Sequence, residues 1–171
     1  MAQTFRTYCA GVAFAATKNM HAILNGHATE ILKIRRVGLS NAQTAAVTGV
    51  VCAMEHRLYT GSASLTAPTA VTPVSMDSTN TAPTTATYGH AGTIGGTANI
   101  LNAWIWSSDE AAVSAATSDE LECLIPLNVI YDWIPHSDVQ PITLRQNQMN
   151  MVYNVSGAAG LLHSYQDFTK E

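Results

Sequence analysis

The side chains able to do acid–base, nucleophilic or metal chemistry are thinly spread. They are His21, His27, His56, His90, His136 and His163, Cys9, Cys52 and Cys123, and twelve Asp or Glu against eight Lys or Arg. A metal centre on a β scaffold needs converging ligands, and a cupin-like site needs an HxH pair with a Glu a few residues on. No two histidines here are closer than His21 and His27. Isolated rings of this kind are accounted for by satisfied or exposed side chains. There is no G-x-S-x-G elbow, and no Cys–His spacing that suggests an activated thiol. Ser107-Ser108-Asp109-Glu110 and Thr117-Ser118-Asp119-Glu120 repeat a pattern that could meet a hard cation, but capping and loop solvation explain it. Gly89, Gly92, Gly95 and Gly96 precede no Lys-Ser/Thr pair and fit no dinucleotide fingerprint, so they mark turns. The expectation is a non-enzymatic chain without catalytic residues, cofactor or metal.

Composition points the same way. Charged residues make up 12% of the chain, about half the usual share, and none occurs from Ser78 to Ser108 or from Gln146 to Gln166. A free soluble enzyme normally wears more mixed charge. Two readings fit: a Thr- and Ser-rich β protein of extracellular type, or a surface that rests against other subunits. The net charge of −4 disfavours direct nucleic-acid binding. The one basic cluster, Lys33, Arg35 and Arg36, alternates with Ile31, Leu32 and Ile34 as a solvated strand face would. No apolar run is long enough to span a bilayer, and the N-terminus lacks the order of a secretory signal. Three cysteines without a CxxC read as buried reduced thiols, consistent with assembly in a cytoplasm.

The elements that must position these residues are strands. Leu121, Cys123, Ile125, Leu127, Val129 and Tyr131 alternate with Glu120, Glu122, Pro126 and Asn128, so Ser118 to Trp133 reads as the organising strand. Further strands are expected at 27–37, 45–60, 84–88, 98–106, 141–146, 149–155 and 161–169, with 10–25 favouring a strand over a helical turn. Val50, Cys52, Met54 and Leu58 should share one face, with Glu55 and Arg57 on the other. The 98–106 strand should be buried on both sides, with Trp104, Trp106 and Ile100 together on one face. Residues 61–83 form a long neutral loop with short β pieces near Val71 to Met76, and a loop of that length is usually a contact surface. Residues 1–10 read as an extended N-terminal arm that pairs with a neighbour, and 11–171 as a single domain. The fold expected is all-β, a jelly-roll-like β-sandwich of about eight to ten strands.

The ordered blocks KIRRVGL (33–39), AAVTGVVCAMEHRLYTG (45–61), TPVSMDSTN (72–80), IWSSDE (105–110), SDELECLIPLNVIYD (118–132) and QPITLRQNQMNMVYNVSG (140–157) resemble small virion proteins of tailed bacteriophages. Within that group the chain is similar to the jelly-roll cement, or head-decoration, proteins that stabilise shells of HK97-like major capsid subunits. The resemblance implies a virion location on the capsid surface after assembly in the host cytoplasm. It also implies the major capsid protein as partner, a homo-oligomer (dimer or trimer), and arms or loops that bridge capsomers. The residues expected to make partner contacts are Thr4, Phe5, Arg6 and Tyr8 of the arm, with Val71, Pro73 and Met76 of the loop. A tail- or fibre-associated jelly roll that binds a host glycan, and a cupin-like metal enzyme, are the alternative readings.

Overall fold

The computed structural model describes residues 3–13, 15–42, 50–108, 129–156 and 160–171. Fourteen strands occur among them, more than the eight to ten expected. Eight build the sandwich: β1 (Gln3–Ala13), β2 (Lys18–Asn25), β3 (Leu32–Asn41), β4 (Val50–Tyr59), β10 (Ala98–Ser108), β11 (Val129–Trp133), β13 (Gln148–Ser156) and β14 (Leu161–Lys170). Six short pieces account for the excess: β5 (Ser64–Thr66), β6 (Thr69–Ala70), β7 (Val74–Ser75), β8 (Thr87–His90), β9 (Thr93–Gly95) and β12 (Ile142–Leu144). Glycine, proline and threonine punctuate the chain there too often for longer strands.

One sheet runs β11-β3-β14-β1-β7, with β12 also on β3; the other runs β10-β4-β13-β2-β8-β6. Each long strand of the first sheet has its chain neighbour in the second, as β1/β2, β3/β4, β10/β11 and β13/β14. That order is the jelly roll, and all its pairings are antiparallel. The sheets enclose a core in which Phe5, Ile23, Leu32, Ile34, Val37, Leu39, Met54, Val152, Leu162 and Phe168 are fully or almost fully buried. A second, smaller cluster of Ala22, Tyr59, Ala63, Leu65, Met149 and Met151 lies apart from it, with Leu65 and Ala63 supplied by the 61–83 segment.

Several expectations change in detail. Residues 3–13 are extended as expected, but they pair with the chain's own C-terminal strand β14, not with a neighbour. Alternation explains this, because Phe5, Thr7 and Cys9 all turn inward, two into the apolar core and Thr7 into hydrogen bonds with His21 and Gln166. In β4, Cys52 and Met54 are in the core while Glu55 and Arg57 pair on the opposite face, as read. Strand β10 differs. Among the described residues it ends its sheet, Ile100, Leu101 and Ile105 are exposed, and a bulge between Ile100 and Asn102 puts Ile100 opposite Arg57. Of the organising strand, β11 covers Val129–Trp133; residues 109–128, with most of both acidic repeats, and the Trp106 side chain lie outside the described residues.

Candidate partner-contact face

Alternation on β1 sends Thr4, Arg6 and Tyr8 to the outer face of the first sheet. The 61–83 segment then contributes β7 alongside. Val74 lies opposite Arg6, Ser75 opposite Phe5, and the Met76 N–H donates to the Thr4 carbonyl at 2.9 Å. Directly opposed residues of an antiparallel pair share a face, so Thr4, Arg6, Val74 and Met76 form one patch. Val74 and Met76 are 64% and 54% exposed, which is unusual for large apolar side chains on adjoining positions. Asp77 closes the turn after β7 by accepting from the Thr79 N–H and hydroxyl, which also lowers its pKa. The far end of the loop is tied down where the Lys170 Nζ donates to the Thr81 carbonyl.

The rest of that face is a lattice of paired charges. Arg6 donates Nε and Nη2 to the Asp167 carboxylate at 2.6 and 2.7 Å, and Arg36 clamps Asp132 in the same way at 2.8 and 2.7 Å. Tyr165 lies between them, with the two guanidinium carbons 4.9 and 5.2 Å from its ring centroid. Its ring packs down onto Gly38, where an added Cβ would stand 2.1 Å from the Tyr165 Cζ. The run Arg35-Arg36 can face outward together because a bulge skips Arg35, Arg36 pairing with Asp167 and Ile34 with Phe168. Lys33 also pairs with the Glu171 carboxylate. The solvated basic strand expected from the sequence is therefore a face whose charges are largely neutralised by partners. Tyr8 extends the lattice, its hydroxyl 2.8 Å from the His163 Nδ1, which also accepts the Gly11 N–H at 3.2 Å.

The remaining expected contact residues divide. Phe5 is fully buried and stacked on Phe168 at 5.4 Å between ring centroids, so it belongs to the core and is withdrawn as a surface contact. Val71 is half-buried against the core and donates its N–H to the Tyr88 carbonyl. Pro73 is half-buried beside the patch. Sequence alternation does contain a signal for Phe5, since it lies in phase with Thr7 and Cys9. Val74 had no such signal, because its neighbours Thr72 and Met76 carry no period by themselves.

The histidines take different roles. His27 Nδ1 accepts the Thr29 and Glu30 N–H groups and caps the turn before β3. His21 and His56 lie fully buried in a hydrogen-bonded seam between the sheets. The Tyr131 hydroxyl, His56, Asn150 and Gln166 are joined in series by contacts of 3.0, 2.8 and 2.9 Å, and the Gln166 Nε2 reaches the His21 carbonyl at 3.3 Å. The His21 ring lies 2.9 Å from both the Ser164 and Thr7 hydroxyls. Since the Thr7 hydroxyl donates to the Gln166 carbonyl, it accepts from the His21 Nε2, and Ser164 donates to Nδ1. A Ser–His pair at this distance has the outline of an activated nucleophile. Here Ser164, His21 and Thr7 are fully buried, and no carboxylate orients the ring, so the pair works as a cross-sheet clamp. Burial pushes His21 down to about 3 and His56 to about 4, and both stay neutral.

Among the described residues no group of three or more His, Cys, Asp or Glu is arranged to hold a metal ion. Cys9 is a buried free thiol whose pKa burial pushes up to about 12, and Cys52 is buried too. Trp104 stacks on Tyr131 at 4.2 Å, and His56 meets both Tyr131 and Trp133 edge-on, so these aromatic faces are occupied by one another. Compared with protein-family models, curated proteins and solved structures, the chain matches none of them.

Proposed function

We propose that this chain is a non-enzymatic virion structural protein, a cement protein that binds the outside of an HK97-like phage capsid and stabilises contacts between capsomers. The observation that carries the reading is the junction of β1 and β7. Two segments expected to meet a partner, far apart in sequence, are hydrogen-bonded side by side and present Val74, Met76, Arg6 and Tyr8 together. The order of the ordered sequence blocks supports the phage assignment, and the jelly roll supplies the rigid scaffold such a role needs. The major capsid protein is the proposed partner. Cement acts by burying modest area on several subunits at once, so that weak contacts reinforce one another through effective concentration.

The test is rebinding of purified protein to capsids stripped of it. A Val74→Asp/Met76→Asp double variant places two charges on exposed positions and leaves the core untouched. Occupancy should fall at least tenfold while the melting temperature stays within a few degrees of wild type. Undiminished occupancy would remove this face from the proposal.

A further inference from the structure

We propose that Met76 is a redox-sensitive modification site, and that oxidation of its thioether to the sulfoxide switches off the partner-contact face. The second half rests on the cement reading; the first stands without it. The five described methionines divide sharply. Met20, Met54, Met149 and Met151 are at most 1% exposed, whereas Met76 is 54% exposed. A thioether reacts with peroxide only where the oxidant reaches its sulfur, so exposure decides which methionine is converted. The described thiols are shielded as well. Cys9 and Cys52 are buried, and burial pushes the Cys9 pKa up to about 12, away from the thiolate form that peroxide attacks.

The setting of Met76 gives that chemistry a consequence. Its N–H donates to the Thr4 carbonyl at 2.9 Å, and the Ser75 hydroxyl donates to the Asp77 carbonyl at 2.5 Å, so the backbone on both sides of the residue is held. The side chain therefore projects from fixed backbone, on the same face as Val74 two residues earlier. Hydrogen peroxide is the oxidant. An S–O bond forms at a sulfur lone pair, the O–O bond breaks, and the departing hydroxide takes the proton from the new S–OH and leaves as water. Sulfur loses two electrons and the peroxide gains two. The product carries a strongly polar S=O group where an apolar chain stood, and burying that group in a contact without a hydrogen-bond donor is costly. Because the other described methionines are shielded, the change falls on the surface and spares the core. A docked Met76 is itself shielded, so oxidation acts on free chains and gates their docking. A methionine sulfoxide reductase reverses it.

Peptide mass spectrometry of the purified chain after graded hydrogen peroxide tests the site without any partner. Met76 should gain one oxygen roughly tenfold faster, or more, than Met20, Met54, Met149 and Met151, with an unchanged melting temperature. Comparable rates overturn the proposal. Rebinding to stripped capsids, after catalase has removed the peroxide, then tests the switch. Met76→Leu is the control, an apolar side chain that peroxide does not convert. Oxidised wild type should lose roughly fivefold or more in occupancy, and peroxide-treated Met76→Leu should bind as well as untreated wild type. Full occupancy of the oxidised wild type, or an equal loss in both proteins, overturns the switch. If untreated wild type does not bind capsids, the cement reading fails and the switch falls with it, while the rate comparison still decides the site.

Discussion

At the scale of residues, position within the alternation decides what a substitution does. Phe5 and Tyr8 are both aromatic and three residues apart, yet one is sealed in the core and the other is half exposed. Phe5→Ala should cost about 3–5 kcal/mol in denaturant unfolding, whereas Tyr8→Ala should cost under about 1 kcal/mol. Equal losses would contradict the inward setting of β1. Asn150 joins His56 to Gln166, so Asn150→Leu orphans a ring N–H and an amide oxygen at roughly 1–3 kcal/mol each. Calorimetry should show a lower melting temperature with the same cooperative transition.

The two buried histidines also set a pH dependence. Their folded-state values, about 3 and about 4, lie below the ordinary 6.5, so unfolding takes up protons at mildly acidic pH. Above pH 6.5 both states are neutral and the histidines are silent. Between 6.5 and about 4 the unfolded state binds more protons, and stability falls as pH falls, by about 1.4 kcal/mol per pH unit for each ring. Urea titrations from pH 7.5 to 4.5 check this; a flat profile would contradict the neutral burial of both rings.

At the scale of elements, much was legible because strands with one buried face advertise it. The alternation in β4 places Cys52 and Met54 inward as read, and the boundaries of β10 and β13 fall close to the expected ones. What stayed hidden is long-range pairing. Nothing local in Thr4–Tyr8 says that the partner is β14, 160 or so residues away, and nothing in Val74 or Ser75 marks the strand beside it. The apolar run of Ala98–Trp106 reads as doubly buried because composition reports hydrophobicity, not whether another strand lies alongside. The seam was equally unreadable, since Thr7, His21, Asn150, Ser164 and Gln166 look like ordinary polar residues until two sheets bring them together. Bulges also shift the phase, as at Arg35, and a period-two reading cannot anticipate them. One element-scale test follows. Gly38→Ala should push the Tyr165 ring off β3 and from between Arg6 and Arg36, at about 1–2 kcal/mol. Loss of the Tyr165 fluorescence environment should accompany it, and an unchanged spectrum and stability would contradict the packing of that face.

At the scale of the whole molecule, the architecture separates scaffold from surface. The jelly roll is held by a main core, a smaller second cluster and a polar seam, the first sheet's outer face is neutralised by its own ion pairs, and the exposed apolar groups include Val74 and Met76 at β7. The measurement that bears most directly on this account is a copy count by quantitative mass spectrometry on purified phage particles, with this chain ratioed to the major shell protein. A cement role predicts a ratio near one, or another simple fraction set by the icosahedral lattice. Absence from particles, or a handful of copies in each, would contradict it.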